Sequence, residues 1–431
     1  MAFNSNFLSI SSKKIHKDID LRWDRPETNS EYRSEFSKDR DRILYSKSFL
    51  RLRGKTQIFM IQKNDYIRTR MTHSLEVNQI AKTIASALGQ NIDLVEAIAL
   101  GHDIGHAPFG HVGERILAEL ISGDESINLE NKGFKHNLQA LRLLCDLEKG
   151  ADYPEHKGLN LTKYTLWGIS HHSNIDQSKH PAYNDYLNKI DSYWSFEGFI
   201  VALADEIAQR HHDIEDGLRY GIINRKKLID KISEFSPIFK QNEKNCIKRL
   251  KDEIETLSDS VFNSLFARLV IDMYVSDVIK FSKNNFKELG NQYSIKKQDD
   301  FFSAKPHIPS DVYEKQISFS PKLKKYDEKF HNYLKSNILN SFQAQAFDGK
   351  AKYIIQKLFK AFKDNPTLLP DSSLCSFAEF INIDYKRSEI SEQNFNDNKA
   401  TLHRCIVDYI GGMTDQFAYN EFDRLYGTKI Y

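Results

Sequence analysis

Apolar positions recur at intervals of three and four along most of the chain, which predicts helices rather than strands. Val77, Ile80, Ala81, Ile84, Ala85 and Leu88 fall on one face of a helix over 74–89, and Gly89 is placed to stop it. A second helix over 93–102 carries the stripe Ile92, Val95, Ile98 and Ala99, with Asp93 and Glu96 at capping-box spacing. Gly105, Pro108 and Gly110 then interrupt the pattern before a third helix over 111–121. A polar loop covers 122–133, and a fourth helix begins near His136 and carries Leu138, Leu141 and Leu144. Residues 150–195 read as loop-rich and aromatic, with a short helix over 161–172. The helix over 196–217 has apolar residues nearly all round, including Ile200, Val201, Leu203, Ala204, Ile207 and Ala208, so it belongs in a buried centre.

The flanking regions are less patterned. Residues 1–40 are polar and read as an extended arm or short helices, while 38–53 places Ile43, Leu44, Phe49 and Leu52 at helical spacing. Residues 224–300 are Lys-rich, helical and read as peripheral. Pro306, Pro309 and Pro321 mark 301–325 as a connection or short hairpin, and helices return over 326–365 and 398–426, with Pro366 and Pro370 bracketing a turn. No strand-rich block, repeat or low-complexity tract interrupts this. The expectation is an all-α chain in four parts. An arm and pocket-lining helix occupy 1–60, and a helical catalytic core 61–225. A peripheral helical region follows over 226–325, and a C-terminal helical region over 326–431 packs on the core.

Composition narrows the class. Of 431 residues 40% are hydrophobic and 28% charged, an ordinary globular balance, and 19 Gly with 10 Pro are few breakers for long helices. Lys plus Arg less Asp plus Glu is 61 − 59 = +2, so no global field attracts a polyanion and a local cluster must do so. Cys145, Cys246, Cys375 and Cys405 form no CxxC pair, which points to reduced thiols rather than a disulfide framework or Cys-based zinc site. No leader-like segment and no apolar run near ~18 residues is present, so a cytoplasmic protein without a membrane span is expected.

Chemistry concentrates at four places. His73 opens the first strong helix, His102 and Asp103 end the second, and Asp205 lies within the apolar helix. At a helix C-terminus two adjacent side chains can turn toward one ion, and imidazole with carboxylate suits divalent metals such as Mn, Fe, Ni, Zn or Mg. A buried Asp needs a compensating charge; a cation supplies one, as would an ion pair with Arg210 or Arg219. Each residue alone has an ordinary structural explanation. Together with them, however, the segment from His102 to Glu114 packs three histidines and two acids into 13 residues, spaced by Gly and Pro that let the backbone fold closely round a ligand.

The set His73, His102-Asp103, Asp205 resembles the H…HD…D signature of the HD phosphohydrolase superfamily. The stretch HDIGHAPFGHVGE resembles its dGTPase branch, as do FLRLRGKTQIF (49–59), RTRMTHSLEV (68–77), FKHN (134–137), ADEIAQRHHDIEDG (204–217) and DYIGGMTDQFA (408–418). The resemblance implies a helical fold with an HD core and hydrolysis of deoxynucleoside triphosphates, dGTP preferred, to deoxynucleoside and inorganic triphosphate. It implies a divalent ion, Mn or Mg before Fe, Ni or Zn, held by His73, His102, Asp103 and Asp205. His111 would transfer the proton; Glu114, three residues on, would orient or charge-tune it. His106 would join that catalytic set beside the phosphates. His136 is a further phosphate candidate or a helix cap.

Gln57 matches the family glutamine that reads the 3′-hydroxyl, and a tight pocket there would exclude a ribose. Arg51 and Arg70 are phosphate partners by charge and fork geometry. Lys350 and Lys352 would reach phosphates or stay as surface lysines. Gln209 and Asp213 follow Asp205 at intervals of four, and Asp213 resembles a ribose-contacting acid; Gln209 stands where some members have a stacking Tyr. Leu50 departs from an Arg common in this branch. A homo-oligomer, hexamer or tetramer, is implied. Gly411-Gly412 within a helical pattern reads as close packing near the nucleotide. The alternatives are another HD-type nucleotide phosphohydrolase, a nucleotidase or phosphodiesterase, and a nucleotide- or nucleic-acid-sensing HD protein. The lysines over 224–252 read either as a contact for single-stranded nucleic acid or, given the interspersed acids, as a solvated face.

Overall fold

The apolar stripes of the first half become helices in the computed structural model, which describes residues 4–10, 21–27, 31–57, 68–123, 133–149 and 157–427. The N-terminal part contributes α1 (Glu35–Tyr45), α2 (Lys47–Arg51), α3 (Arg70–Leu88), α4 (Ile92–Gly101), α5 (Gly110–Ser122), α6 (His136–Arg142), α7 (Lys163–His171) and α8 (Asn184–Ile190). Next come α9 (Phe196–Arg219), α10 (Arg225–Ser233), α11 (Gln241–Asp252), α12 (Asp259–Gln292), α13 (Gln298–Ala304) and α14 (Ser310–Tyr313). The chain finishes with α15 (Pro321–Leu339), α16 (Phe342–Asp364), α17 (Asp371–Phe380), α18 (Glu392–Asp397), α19 (Lys399–Gly411) and α20 (Asp415–Tyr426). Pairing between extended segments is confined, among the described residues, to three isolated bridges, so the fold is all-α.

Capping chemistry sets the boundaries near the site. α3 starts at Arg70 because Thr69 and Thr72 form a reciprocal capping box, which puts His73 inside the first turn rather than at its opening. Gly89 ends it in the left-handed conformation at φ 69°. The cap of α4 is Asn91, whose side chain accepts from the Leu94 N–H; the capping role expected of Asp93 is not realised. Asp93 is already in the first turn and instead accepts a hydrogen bond from the Ser34 hydroxyl at 2.6 Å.

α9 runs through the middle, packed against α3, α4, α7, α12 and α15. Ile200, Val201, Ala204, Ile207 and Ala208 on it are fully buried, and each large aliphatic contributes roughly 1.5–3 kcal/mol of transfer free energy. α12 contributes more to this core than its lysine-rich sequence suggests. Phe262, Phe266, Tyr274 and Phe286 face inward fully buried, while Lys280, Lys283 and Lys287 lie on the exposed face. The prolines of 301–325 open helical segments rather than a hairpin: Pro306 lies in the first turn of a short 3-10 helix, Pro309 caps α14 and Pro321 begins α15.

A second hydrophobic cluster joins Ala107, Phe109, Ile116, Leu117 and Ile121 to Ile354, Ile355, Leu358, Phe362, Ile406 and Ile410. The first cluster reaches Ala344, so the C-terminal core begins within α16 and α15 belongs to the first. The histidine-rich segment therefore leaves one core and enters the other, and its polar groups lie at the seam. Polar ties close that seam. Asp415 accepts from the Phe109 N–H at 2.8 Å and from the N–H and hydroxyl of Thr56 at 3.0 and 2.7 Å. The buried Lys55 ammonium donates to the His106 and Gly411 carbonyls. A Cβ at Gly411 would approach the Phe134 ring to 3.3 Å and one at Gly412 would meet Arg51 at 3.0 Å, which accounts for the glycine pair.

Candidate metal and phosphate site

α4 delivers His102 and Asp103 at its C-terminus, α3 delivers His73 and Arg70 at its N-terminus, and α9 delivers Asp205 between them. The His102 Nδ1 lies 2.7 Å from the Ala99 carbonyl, an acceptor, so the proton is on Nδ1 and Nε2 carries a lone pair. That Nε2 is buried and has no hydrogen-bond partner among the described residues. Around it stand Asp103 Oδ1 at 3.5 Å and Asp205 Oδ1 at 3.8 Å. His73 Nε2 is 2.8 Å from Asp205 Oδ1 and 3.9 Å from Asp103 Oδ2. Arg210 is engaged by Asp327 at 3.0 Å and Arg219 by Glu215 at 3.2 Å, so the ion pairs that offered Asp205 an ordinary structural role are not formed.

Burial alone would raise the Asp103 carboxyl, but His102, Arg70 and His106 hold it well below the usual carboxylate range. Asp205 is shifted the same way, its burial outweighed by His73 and His102. Two ionised carboxylates, each within 4 Å of an orphaned imidazole nitrogen, form the donor set of a hard or borderline divalent cation. The residues present fit such an ion.

The following segment lines the space beside this set. Gly105 admits α6: a Cβ there would lie 1.9 Å from the His136 carbonyl oxygen. Gly110, at φ 63°, occupies the left-handed region, and a Cβ on it would come within 2.9 Å of the Arg70 guanidinium. His106 Nε2 is 3.1 Å from Asp103 Oδ1, and its ring stacks on His136 with centroids 3.9 Å apart. Burial, then Arg70 and His136, push the His111 imidazole down to about 4, so in the free protein it is a neutral base.

Glu114 does not bond His111, as its spacing suggested. Its Oε2 accepts from His136, 2.6 Å from Nδ1 and 3.3 Å from the backbone N. Burial opposes the charge on Glu114, yet His136 and His111 hold it at about 2. His136 is the first residue of α6 and the cap position is Lys135, so His136 is no cap. One member of the cluster escaped the sequence reading: His172, whose Nε2 is 3.0 Å from His136 Nε2 and whose Nδ1 donates to the Ile169 carbonyl at 2.7 Å. The available signal was its place just past the end of a helix, the same local arrangement as His102.

These groups open onto one cavity of about 910 Å³. Gln57, Arg70, His73, Asp103, His106, His111, His136, His172, Asp205 and Gln209 line it, and Trp167, Phe199, Tyr313 and Lys324 extend its wall. Three expected substrate contacts do not line it. Arg51 borders a separate cavity of about 530 Å³ with Lys47, Asp408 and Tyr409, and Leu50 beside it is 52% exposed. Lys352 is on the exposed face of α16, and Lys350 sits over the Tyr419 ring at 4.5 Å. Asp213 is buried off the cavity wall, because positions four apart on a helix drift ~40° per step and two steps carry it round from Asp205.

Burial pushes the Asp213 carboxyl up to about 7. The folded chain thus keeps this proton between the ordinary carboxylate value and about 7 while the unfolded chain releases it, so this group costs stability as pH rises through that interval. Asp213→Asn is expected to raise the unfolding free energy by ~1–3 kcal/mol at pH 8 and by almost nothing at pH 4. Urea unfolding at both pH values checks this, and an equal gain at both would contradict it.

Comparison with known proteins agrees with the geometry. The HD domain family matches residues 70–216, the span that carries all four candidate ligands, and the phosphohydrolase-associated domain matches residues 317–424. A deoxyguanosinetriphosphate triphosphohydrolase-like protein of Bartonella quintana (strain Toulouse) is 35% identical, over 93% of this chain and 91% of its own length. Proteins of the same name from Cereibacter sphaeroides (strain ATCC 17025 / ATH 2.4.3) and Rickettsia rickettsii (strain Iowa) are 32% and 33% identical, each over 94% of this chain and over 96% and 94% of their own. No helix of the described residues is long and apolar enough to cross a membrane. With both modules in this order and likeness along nearly its whole length, the chain belongs to the deoxyguanosinetriphosphate triphosphohydrolase-like family of HD-domain phosphohydrolases.

Proposed function

We propose that the protein hydrolyses deoxynucleoside triphosphates at the α-phosphate, dGTP preferentially, releasing a deoxynucleoside and inorganic triphosphate. One observation carries this: a single cavity wall holds both a donor set for a divalent cation and a guanidinium with unused donors. Arg70 gives Nη1 to Asp103 at 3.0 Å, while its buried Nε and Nη2 have no partner among the described residues. A buried charged donor left unpaired is costly, and a phosphate oxygen satisfies it with the fork geometry Arg favours. The preference for dGTP rests on the names of the relatives.

His73, His102, Asp103 and Asp205 would hold the ion, which when bound polarises the phosphate and lowers the pKa of water. His106 and His136 line the same wall beside the place of the phosphates, the His106 Nε2 engaged by Asp103 and the two His136 nitrogens by Glu114 and His172. His111 lies on the cavity wall next to them. Arriving negative charge opposes the effect of Arg70 and draws a proton to His111, which then protonates the leaving 5′-oxygen as water attacks phosphorus. Gln57 Oε1 is buried without a partner among the described residues, an acceptor for the 3′-hydroxyl. Gln209 borders the sugar without a stacking ring. A cytoplasmic homo-oligomer, hexameric or tetrameric, belongs to the same proposal.

The test is product analysis. Each dNTP and GTP is incubated with purified protein and Mn or Mg, and the products are separated by chromatography. Inorganic triphosphate with deoxynucleoside is expected, fastest from dGTP and absent from GTP. Orthophosphate or pyrophosphate would indicate a different HD-type phosphohydrolase.

A further inference from the structure

We propose that Glu76 and His212 are positioning residues that fix the tautomer and ring orientation of His73, so that its Nε2 is held bare toward the cation site. This rests on His73 being a metal ligand. The observation is a continuous chain of short contacts running away from the cavity. His73 Nδ1 is 3.1 Å from His212 Nδ1, and His212 Nε2 is 2.8 Å from Glu76 Oε2. His212 is fully buried, and its ring meets that of His73 edge-on with centroids 4.8 Å apart. Helix geometry makes the chain possible: His212 follows Asp205 by seven residues, which brings it back within ~20° of the same face, and Glu76 is one turn beyond His73 on α3.

Proton bookkeeping along the chain has one neutral solution. Glu76 is ionised beside Arg68 at 3.1 Å and His211 at 2.5 Å, so it only accepts. His212 must then carry its proton on Nε2 and present a lone pair at Nδ1. His73 must donate to that lone pair from its own Nδ1. This leaves His73 Nε2 without a proton, 2.8 Å from a carboxylate oxygen of Asp205. A lone pair facing a carboxylate at that distance is repulsive unless a cation lies between them or an extra proton is taken up. The opposite arrangement, with His73 Nε2 donating to Asp205, would turn a bare His212 nitrogen against the Glu76 carboxylate. A carboxylate–imidazole pair behind a ligand histidine is a general means of orienting it and raising its basicity; here a whole imidazole is interposed.

Glu76, His211 and His212 also lie close enough together to suggest a cation site of their own. Both Glu76 oxygens are already engaged by the two imidazoles, and the Arg68 guanidinium is paired with Glu76 and with Glu215. A positive charge there disfavours a second cation, which leaves orientation as the role the contacts support.

The test is manganese affinity by electron paramagnetic resonance titration, without substrate, alongside thermal unfolding of the metal-free protein. His212→Leu keeps much of the volume but removes the acceptor, and should weaken binding by about 10–100-fold. His212→Gln retains an acceptor and a donor and should restore most of the affinity. Glu76→Gln should weaken binding at an unchanged unfolding temperature, and decides the matter should His212→Leu not fold. Wild-type affinity in His212→Leu or in Glu76→Gln, or no rescue in His212→Gln, would overturn the proposal while leaving the metal site intact. Absence of binding to the wild type would overturn both.

Discussion

His102→Ala is expected to purify without stoichiometric metal and to lose turnover by roughly a thousandfold or more, since an ion's several kcal/mol of transition-state stabilisation converts at about 1.4 kcal/mol per decade. The reason is positional. His102 is the centre of the donor set: its Nε2 sees both Asp103 and Asp205, and its other nitrogen is tied to the Ala99 carbonyl, so no neighbour can rotate into its place. Removing the ring removes the one nitrogen that faces both carboxylates. Metal content by plasma emission spectrometry and turnover with dGTP check this. Full metal retention would show that His102 is not a ligand.

The second large effect separates chemistry from metal binding. His111→Ala is expected to keep its metal and lose turnover by about 10²–10⁴-fold, the usual weight of a positioned general acid or base. His111 sits on the cavity wall, its ring 5.2 Å from His106 and 5.8 Å from His136 between centroids, outside the His73–His102–Asp103–Asp205 set. Glu114→Gln should act through His136, to which Glu114 is bonded, rather than through His111. Parallel metal analysis and steady-state kinetics distinguish the roles. Simultaneous loss of metal and turnover in His111→Ala would place it among the ligands instead.

The parts of the site readable from sequence were those encoded locally. Apolar periodicity located α3, α4 and α9, and adjacency of His102 and Asp103 at a helix end implied a shared direction. The long-range pairings were not readable. Glu114 bonds His136 from 22 positions away, and nothing in the i,i+3 spacing to His111 foretold that. His172 joined the cluster only because α7 packs on α6. Asp213 followed a regular four-residue interval that the 3.6-residue turn carries off the cavity, while His212, at seven, stays in line. Arg51 belongs to a short helix whose outer face borders the other cavity. A single cap, Thr69, fixed where α3 starts and placed His73 inside its first turn.

Anomalous diffraction from a crystal of the manganese-loaded protein tests the central claim most directly. A single strong peak is predicted about 2.0–2.3 Å from His73 Nε2, His102 Nε2 and a carboxylate oxygen each of Asp103 and Asp205, the range for nitrogen and oxygen ligands of such ions. A peak instead among His136, His172 and His106, or beside Glu76 and His211, with none at His102, would contradict the account.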